Sequence, residues 1–223
     1  MASDGPLRGL YAITPGHADT ALLVRQVEAA LEGGAALVQY RAKELAPALR
    51  LEQARRLAAV CRSHDALLIV NDSAELALAA GADGVHLGRE DGDARAARSA
   101  LPRAILGVSC YADLQRARDA AEAGADYIGI GSVFPSPTKP HAVHAPLELL
   151  ARAHAESGLP VAAIGGITLA NAPRVVAAGA AMLAVITALF DADDVSSAAR
   201  GFARLFDVSP TGPSDVRTQP QPL

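Results

Sequence analysis

EAGADYIGIG, Glu122 to Gly131, carries the fold in miniature. An amphipathic run, LQRARDAAEAG, stops at a glycine; an alanine and an aspartate follow, and then an apolar run without helical period begins. Gly124 is placed where a helix ends in left-handed backbone, a conformation that costs glycine little. The same grammar recurs in EGGAALVQY (32–40), AAGADGVHLG (79–88) and AAGAAMLAVI (177–186), which makes Gly34, Gly81 and Gly179 helix-ending residues too. The spacings are too unequal for a solenoid of identical repeats.

Working outward from these junctions, short apolar runs alternate with amphipathic ones along the whole chain. LYAIT, ALVQYR, LLIVND, GVHLG, AILGVS, YIGIGSV, PVAAIGGI and MLAVITAL read as strands. TALLVRQVEAALEGG, ALRLEQARRLAAVCRSH, LQRARDAAEAG and APRVVAAG carry apolar residues at helical spacing. About eight strands and eight helices in strict alternation imply a parallel sheet with right-handed crossovers. Eight such units predict closure into a single (β/α)8 barrel over residues 1–207, with chemistry at the C-terminal ends of the strands. SPTGPSDVRTQPQPL has no period, so residues 208–223 are expected to be a disordered tail.

Composition narrows the function. Of the 223 residues, 51% are hydrophobic and only 4% aromatic, so the core must be built from Ala, Val, Leu and Ile. The net charge of −4, with both signs interspersed, gives no footprint for nucleic acid or an anionic membrane. Cys61 and Cys110 have neither zinc spacing nor a CxxC pattern and are expected to be buried, reduced thiols. The start, MASDGPLRGLYAIT, has no apolar run long enough for a signal peptide, and no later run is long enough to span a bilayer. A cytoplasmic protein is expected.

The strand ends carry the polar residues. Gln39, Arg41 and Lys43 alternate in QYRAK, which puts all three on one face if the strand persists that far. They either hold a polyanion such as a diphosphate, or form a charged surface loop with Arg41 paired to Glu44. In NDSAEL, Asp72 or Ser73 caps the next helix, Asp72 with Glu75 fitting a capping box, or Asp72 faces the mouth as a metal ligand. Asp91, in HLGREDGD, lies past the neighbouring strand end, and Asp93 is the better cap there. Two carboxylates on adjacent loops suit Mg2+, which completes its octahedron with water and phosphate oxygens. His86 lies within a strand and reads as a satisfied core residue. Ser109 offers a hydroxyl, and His141 and His144 read as solvated.

Gly165 and Gly166 end the seventh strand before a helix predicted to begin TLAN, and Thr187 stands near the end of the eighth. Bared amides and helix N-termini at these two positions make a phosphate site, or the glycines merely form a tight turn. Between the two anion-holding regions runs VFPSPTKPHA, made stiff by Pro135, Pro137 and Pro140. It is a connector or an anion clamp that presents Ser136, Thr138 and Lys139. No Ser/His/Asp or Cys/His arrangement for covalent catalysis is evident, which points to departure of a phosphorylated leaving group.

In order and spacing, QYRAK, NDS, GVHLG-x-x-D, GVS, DYIGIGSVFPSPTK and AIGGI resemble the thiamine-phosphate synthase family, from about Leu10 to Phe206. The resemblance implies a transferase of thiamine biosynthesis. It would join 4-amino-2-methyl-5-(diphosphooxymethyl)pyrimidine to a thiazole phosphate, carboxylated or not, and release pyrophosphate. Carried over position by position, it implies that Gln39, Arg41, Lys43, Asn71, Ser109 and Lys139 hold the pyrimidine diphosphate. Arg41, Lys43, Ser109 and Lys139 would bear on the leaving group. Asp72 and Asp91 would hold Mg2+, and Ser136, Pro137, Thr138, Gly166, Ile186 and Thr187 would hold the thiazole phosphate. A dissociative reaction through a pyrimidine carbocation is implied as well.

The chain departs from the family pattern in four places. Serine replaces threonine at 136, arginine replaces glutamine at 89, histidine replaces aspartate at 141, and threonine replaces serine at 187. None removes a charge the chemistry needs. A thiazole tautomerase-like barrel would generally lose parts of the cation and carboxylate set retained here. A sugar-phosphate epimerase barrel would not explain the PSPTK loop, and a non-catalytic phosphate binder would need no carboxylate pair.

Overall fold

The computed structural model describes residues 7–135 and 144–207. Eight parallel strands close in chain order: β1 (Gly9–Ile13), β2 (Ala35–Tyr40), β3 (Leu67–Asn71), β4 (Gly84–Leu87), β5 (Ile105–Tyr111), β6 (Tyr127–Ile130), β7 (Val161–Ile164) and β8 (Met182–Val185), with β8 pairing back onto β1. Between them run α1 (Thr20–Glu32), α2 (Pro47–Ser63), α3 (Ala74–Ala80), α4 (Ala94–Ala100), α5 (Leu114–Glu122), α6 (Glu148–Ser157) and α7 (Ala172–Ala177). Two helices follow β8, the short α8 (Thr187–Phe190) and α9 (Val195–Ala203). The chain is a (β/α)8 barrel.

Local chemistry sets the element ends. Asp19, Ser73, Asp93, Asp113 and Asp194 accept backbone amide hydrogens at the starts of α1, α3, α4, α5 and α9. Gly34, Gly81, Gly124 and Gly179 all have positive φ at helix ends, as the repeated grammar requires. The basal side of the sheet is stapled by Arg98. Its guanidinium donates to the carbonyls of Ala104 at 2.7 Å and Gly124 at 2.9 Å, and pairs with Asp126.

Alternation along each strand sorts the core into two layers. Tyr11, Ile13, Leu37, Ile69, Tyr127, Ala162, Met182 and Ala184 fill the barrel interior. Leu10, Ala12, Val38, Leu68 and Val70 face outward against Leu23, Val27, Leu57 and Phe202 of the helices. Each fully buried Leu or Val contributes on the order of 1.5–3 kcal/mol. Gly107 makes room for the Tyr127 ring, since a Cβ there would sit 2.1 Å from Tyr127 Cζ. Cys61 and Cys110 are free and buried, and burial pushes both thiols up to about 12.

Three boundaries differ from the sequence reading. β2 stops at Tyr40, so Arg41 and Lys43 leave the strand and are not set by its period. TLAN is a turn rather than a helix start: Asn171 accepts from Thr168 N and donates to Gly166 O, and α7 begins only at Ala172. Thr187 opens α8 rather than ending β8. Ser136, Pro137, Thr138, Lys139, Pro140, His141 and the stretch 208–223 lie outside the described residues. Among the described residues, no helix is long and apolar enough to cross a membrane.

Candidate active site

The mouth beyond β2, β3 and β4 gathers one cation and two carboxylates. Asp72 adopts left-handed backbone (φ 67°), and its amide donates to His86 O at 2.8 Å. Ser73, not Asp72, caps α3, which leaves the Asp72 carboxylate for the mouth. Lys43 Nζ lies 2.6 Å from Asp72 Oδ2. Asp91 accepts from Gly88 N at 2.8 Å, while Asp93 serves as the cap of α4. Burial, and then the hydrogen-bonding Asp72 carboxyl, hold the Asp91 carboxyl above its ordinary range. A divalent cation between these neighbouring carboxyl groups would favour the charged form of Asp91, so this pair fits Mg2+. Among the described residues no cluster of three or more His, Cys, Asp or Glu competes for a metal.

Below the mouth, five polar side chains cross the barrel as one hydrogen-bonded chain. Gln39 Nε2 donates to Tyr11 Oη at 2.8 Å, and Tyr11 Oη meets Tyr127 Oη at 2.7 Å. Tyr127 Oη meets His86 Nδ1 at 3.0 Å, and His86 Nε2 meets Ser109 Oγ at 2.8 Å. Burial raises both phenols, so both keep their protons. Burial drives His86 down to about 4 against the weaker pull of Asp91, so its imidazole is neutral. One direction leaves no buried proton without an acceptor. Tyr11, having accepted from Gln39, donates to Tyr127, and Tyr127 donates to His86 Nδ1. The imidazole proton then sits on Nε2 and goes to Ser109 Oγ, an assignment made from the network. Ser109, accepting from His86, is thereby left with its own O–H uncommitted within the chain.

On the opposite side, Gly165 (φ 106°) and Gly166 (φ 62°) turn the chain out of β7. A Cβ on Gly165 would lie 2.0 Å from Ser132 Oγ, and one on Gly166 would lie 2.3 Å from Pro135 O. The glycines thus admit the Val133–Pro135 segment, whose Val133 and Phe134 amides donate to Ile164 O and Gly165 O. Ile186 precedes α8, where no side chain among the described residues caps the first amides. Gly166 and Ile186 each lie two residues past the Ile164–Ala184 pair that ends the β7–β8 register, and Thr187 opens α8.

The remaining predicted residues take simple positions. Asn71 ends β3, half-buried and in register with His86. Arg41 N donates to the buried Thr14 Oγ1 at 3.0 Å, and no Arg41–Glu44 ion pair occurs among the described residues. Arg89 is exposed and lies over the Tyr111 ring, 4.9 Å from its centroid. His144 is exposed, and His86 is the satisfied core residue its strand position implied. The sequence reading passed over Tyr11 and Tyr127. Each lies on the inward period of a strand in a chain poor in aromatics, and a buried phenol needs a partner.

A parallel (β/α)8 barrel with an ammonium and two carboxylates gathered at its C-terminal rim has the architecture of barrel enzymes, whose chemistry sits at that rim. The family model described as thiamine monophosphate synthase matches residues 10–189. A thiamine-phosphate synthase of Aromatoleum aromaticum is 59% identical over 205 residues, covering 92% of this chain and 99% of that protein. One of Chromobacterium violaceum is 54% identical, covering 90% and 97% respectively. The solved thiamine phosphate pyrophosphorylase of Pyrococcus furiosus superposes with a TM-score of 0.81 at 39% identity, covering 89% of this chain and 95% of that one. The chain belongs to the thiamine monophosphate synthase family, and its activity is that of a thiamine-phosphate synthase.

Proposed function

We propose that the enzyme joins 4-amino-2-methyl-5-(diphosphooxymethyl)pyrimidine to a thiazole phosphate with the help of Mg2+, by a dissociative route. The observation that carries this reading is the Lys43–Asp72–Asp91 cluster, with Ser109 at the end of the hydrogen-bonded chain that crosses the barrel. Arg41 and Lys43, with Lys139 from the VFPSPTK loop, hold the diphosphate, together with Gln39 and Asn71. Ser109 donates its O–H to a diphosphate oxygen. Asp72 and Asp91 hold the metal; bound there, Mg2+ would offset charge growing on the leaving group.

The C–O bond breaks with its electron pair leaving on the diphosphate. The pyrimidine methylene carries the resulting positive charge, and the thiazole nitrogen supplies the pair for the new C–N bond. Interactions that strengthen as the leaving group gains charge are those that raise turnover. Gly166, Ile186, Thr187, Ser136, Pro137 and Thr138 hold the thiazole phosphate so that its ring nitrogen faces that methylene.

Incubation with both substrates and Mg2+ is expected to release thiamine phosphate and pyrophosphate in equal amounts, and chelation of divalent ions to stop it. Folded protein that forms no product would refute the substrate assignment. Full turnover under chelation would refute the metal assignment alone.

A further inference from the structure

The ladder between β4 and β5 runs through four registered pairs and ends with Leu87 opposite Val108. The next residues, Gly88 and Ser109, are where the two strands turn to their tasks. Gly88 N orients the Asp91 carboxylate, and Ser109 carries the free hydroxyl. Their carbonyls are joined by one side chain from α5. Arg116 Nε donates to Ser109 O at 2.7 Å, and Arg116 Nη2 donates to Gly88 O at 3.2 Å.

The same guanidinium lies 5.9 Å from the Tyr111 ring centroid, and Tyr111 Oη in turn accepts from Arg89 N at 3.3 Å. Tyr111 is held at φ 58°, where the β5–β6 register shifts just past Ser109. The β5 segment that carries the Ser109 hydroxyl and the loop after β4 that leads to Asp91 are thus fixed to each other through Arg116, beyond the last β4–β5 pair.

We infer that Arg116 is a positioning residue for the reaction, setting Ser109 and Asp91 at the spacing that a metal-bound diphosphate needs. It touches neither substrate nor metal and acts through the two carbonyls. A planar fork can serve two acceptors at once, whereas an ammonium on a flexible stem serves them less well. The inference rests on the roles proposed above for Ser109 and Asp91.

The test compares Arg116→Met and Arg116→Lys with Arg98→Met, whose arginine makes a similar set of carbonyl contacts on the basal side. Binding of pyrophosphate with Mg2+ is measured by calorimetry, alongside KM for each substrate and the melting temperature. Loss of a residue that orients metal ligands costs roughly 10- to 100-fold. Arg116→Met is expected to weaken Mg2+–pyrophosphate binding and raise the pyrimidine diphosphate KM by that factor, leaving the thiazole phosphate KM unchanged. Arg116→Lys should recover part of the loss, and it carries the same comparison if Arg116→Met does not fold.

Arg98→Met should lower the melting temperature without changing either binding or KM. Wild-type binding by Arg116→Met, or an equal loss in Arg98→Met, would overturn the inference while leaving the proposed function standing. Failure of the wild-type enzyme to bind Mg2+–pyrophosphate would overturn both.

Discussion

Acid should loosen this barrel from the inside, through His86. Its imidazole is buried, hydrogen-bonded on both nitrogens, and shifted by burial from an ordinary value of 6.5 to about 4. The unfolded chain therefore takes up this proton more readily than the folded one. Stability from this group is fully present above pH 6.5 and is lost as pH falls from 6.5 towards 4. The slope approaches about 1.4 kcal/mol per pH unit in the middle of that window, and the loss at pH 4.5 amounts to about 2–3 kcal/mol. For a chain of this length that is roughly 5–10 °C in melting temperature. Asp91, the carboxylate that pulls the other way, keeps the shift from being larger. The assay is melting temperature against pH for wild type and His86→Gln, which has no proton to gain. The mutant will start lower at neutral pH, but its curve should be flatter between pH 6 and 4.5. Parallel curves would refute the buried neutral imidazole and, with it, the direction assigned to the hydrogen-bonded chain.

Two substitutions probe the two ends of the mouth. Asp72→Asn keeps a side chain that tolerates left-handed backbone and removes only the charge, so the Mg2+ half-saturation should rise tenfold or more. Stability should change by less than about 1 kcal/mol, because Ser73, not Asp72, caps α3 and the Lys43 end of the ion pair is half-exposed; an unchanged metal requirement would remove Asp72 from the metal site. Gly166→Ala forces a Cβ to within 2.3 Å of Pro135 O, so the Phe134–Pro135 segment must shift. Misplacement on that scale costs roughly 10- to 100-fold, read as KM for the thiazole phosphate with the pyrimidine diphosphate KM spared; the reverse pattern would place the thiazole phosphate elsewhere.

The fold was legible because its signals are local. EAGADYIGIG and its three echoes mark helix end, turn and strand start within ten residues, and the glycines have the positive φ that this grammar requires. Asp93 was recognisable as a cap for the same reason, its acceptor lying three residues from Ala96 N. The carboxylate pair was legible because strand ends of adjacent units meet in any such barrel. Lys43 reaches Asp72 by another route than strand period, since β2 ends at Tyr40 and a turn delivers the ammonium. What escaped depends on long separations in the chain. Tyr11 meets Tyr127 across 116 positions, and Arg116 meets Gly88 across 28. No spacing rule announces either contact, because each needs the closed barrel before it exists.

Ser109 Oγ on His86 Nε2 at 2.8 Å has the look of a nucleophile and its base, and its failure to be one follows from the rest of the chain. A base in that role must present an unprotonated Nε2 to the serine while a carboxylate holds the proton on Nδ1. Here Nδ1 faces the Tyr127 phenol, which accepts from Tyr11 in the direction assigned to the chain and so gives its own proton to Nδ1, leaving the imidazole proton on Nε2. Burial also makes the imidazole a weak base, at about 4. The serine therefore receives a hydrogen bond from the histidine and has its own proton left to give. That polarity suits an oxygen gaining negative charge and opposes attack on an electrophile. The five side chains that cross the barrel thus leave Ser109 a hydrogen-bond donor and not a nucleophile.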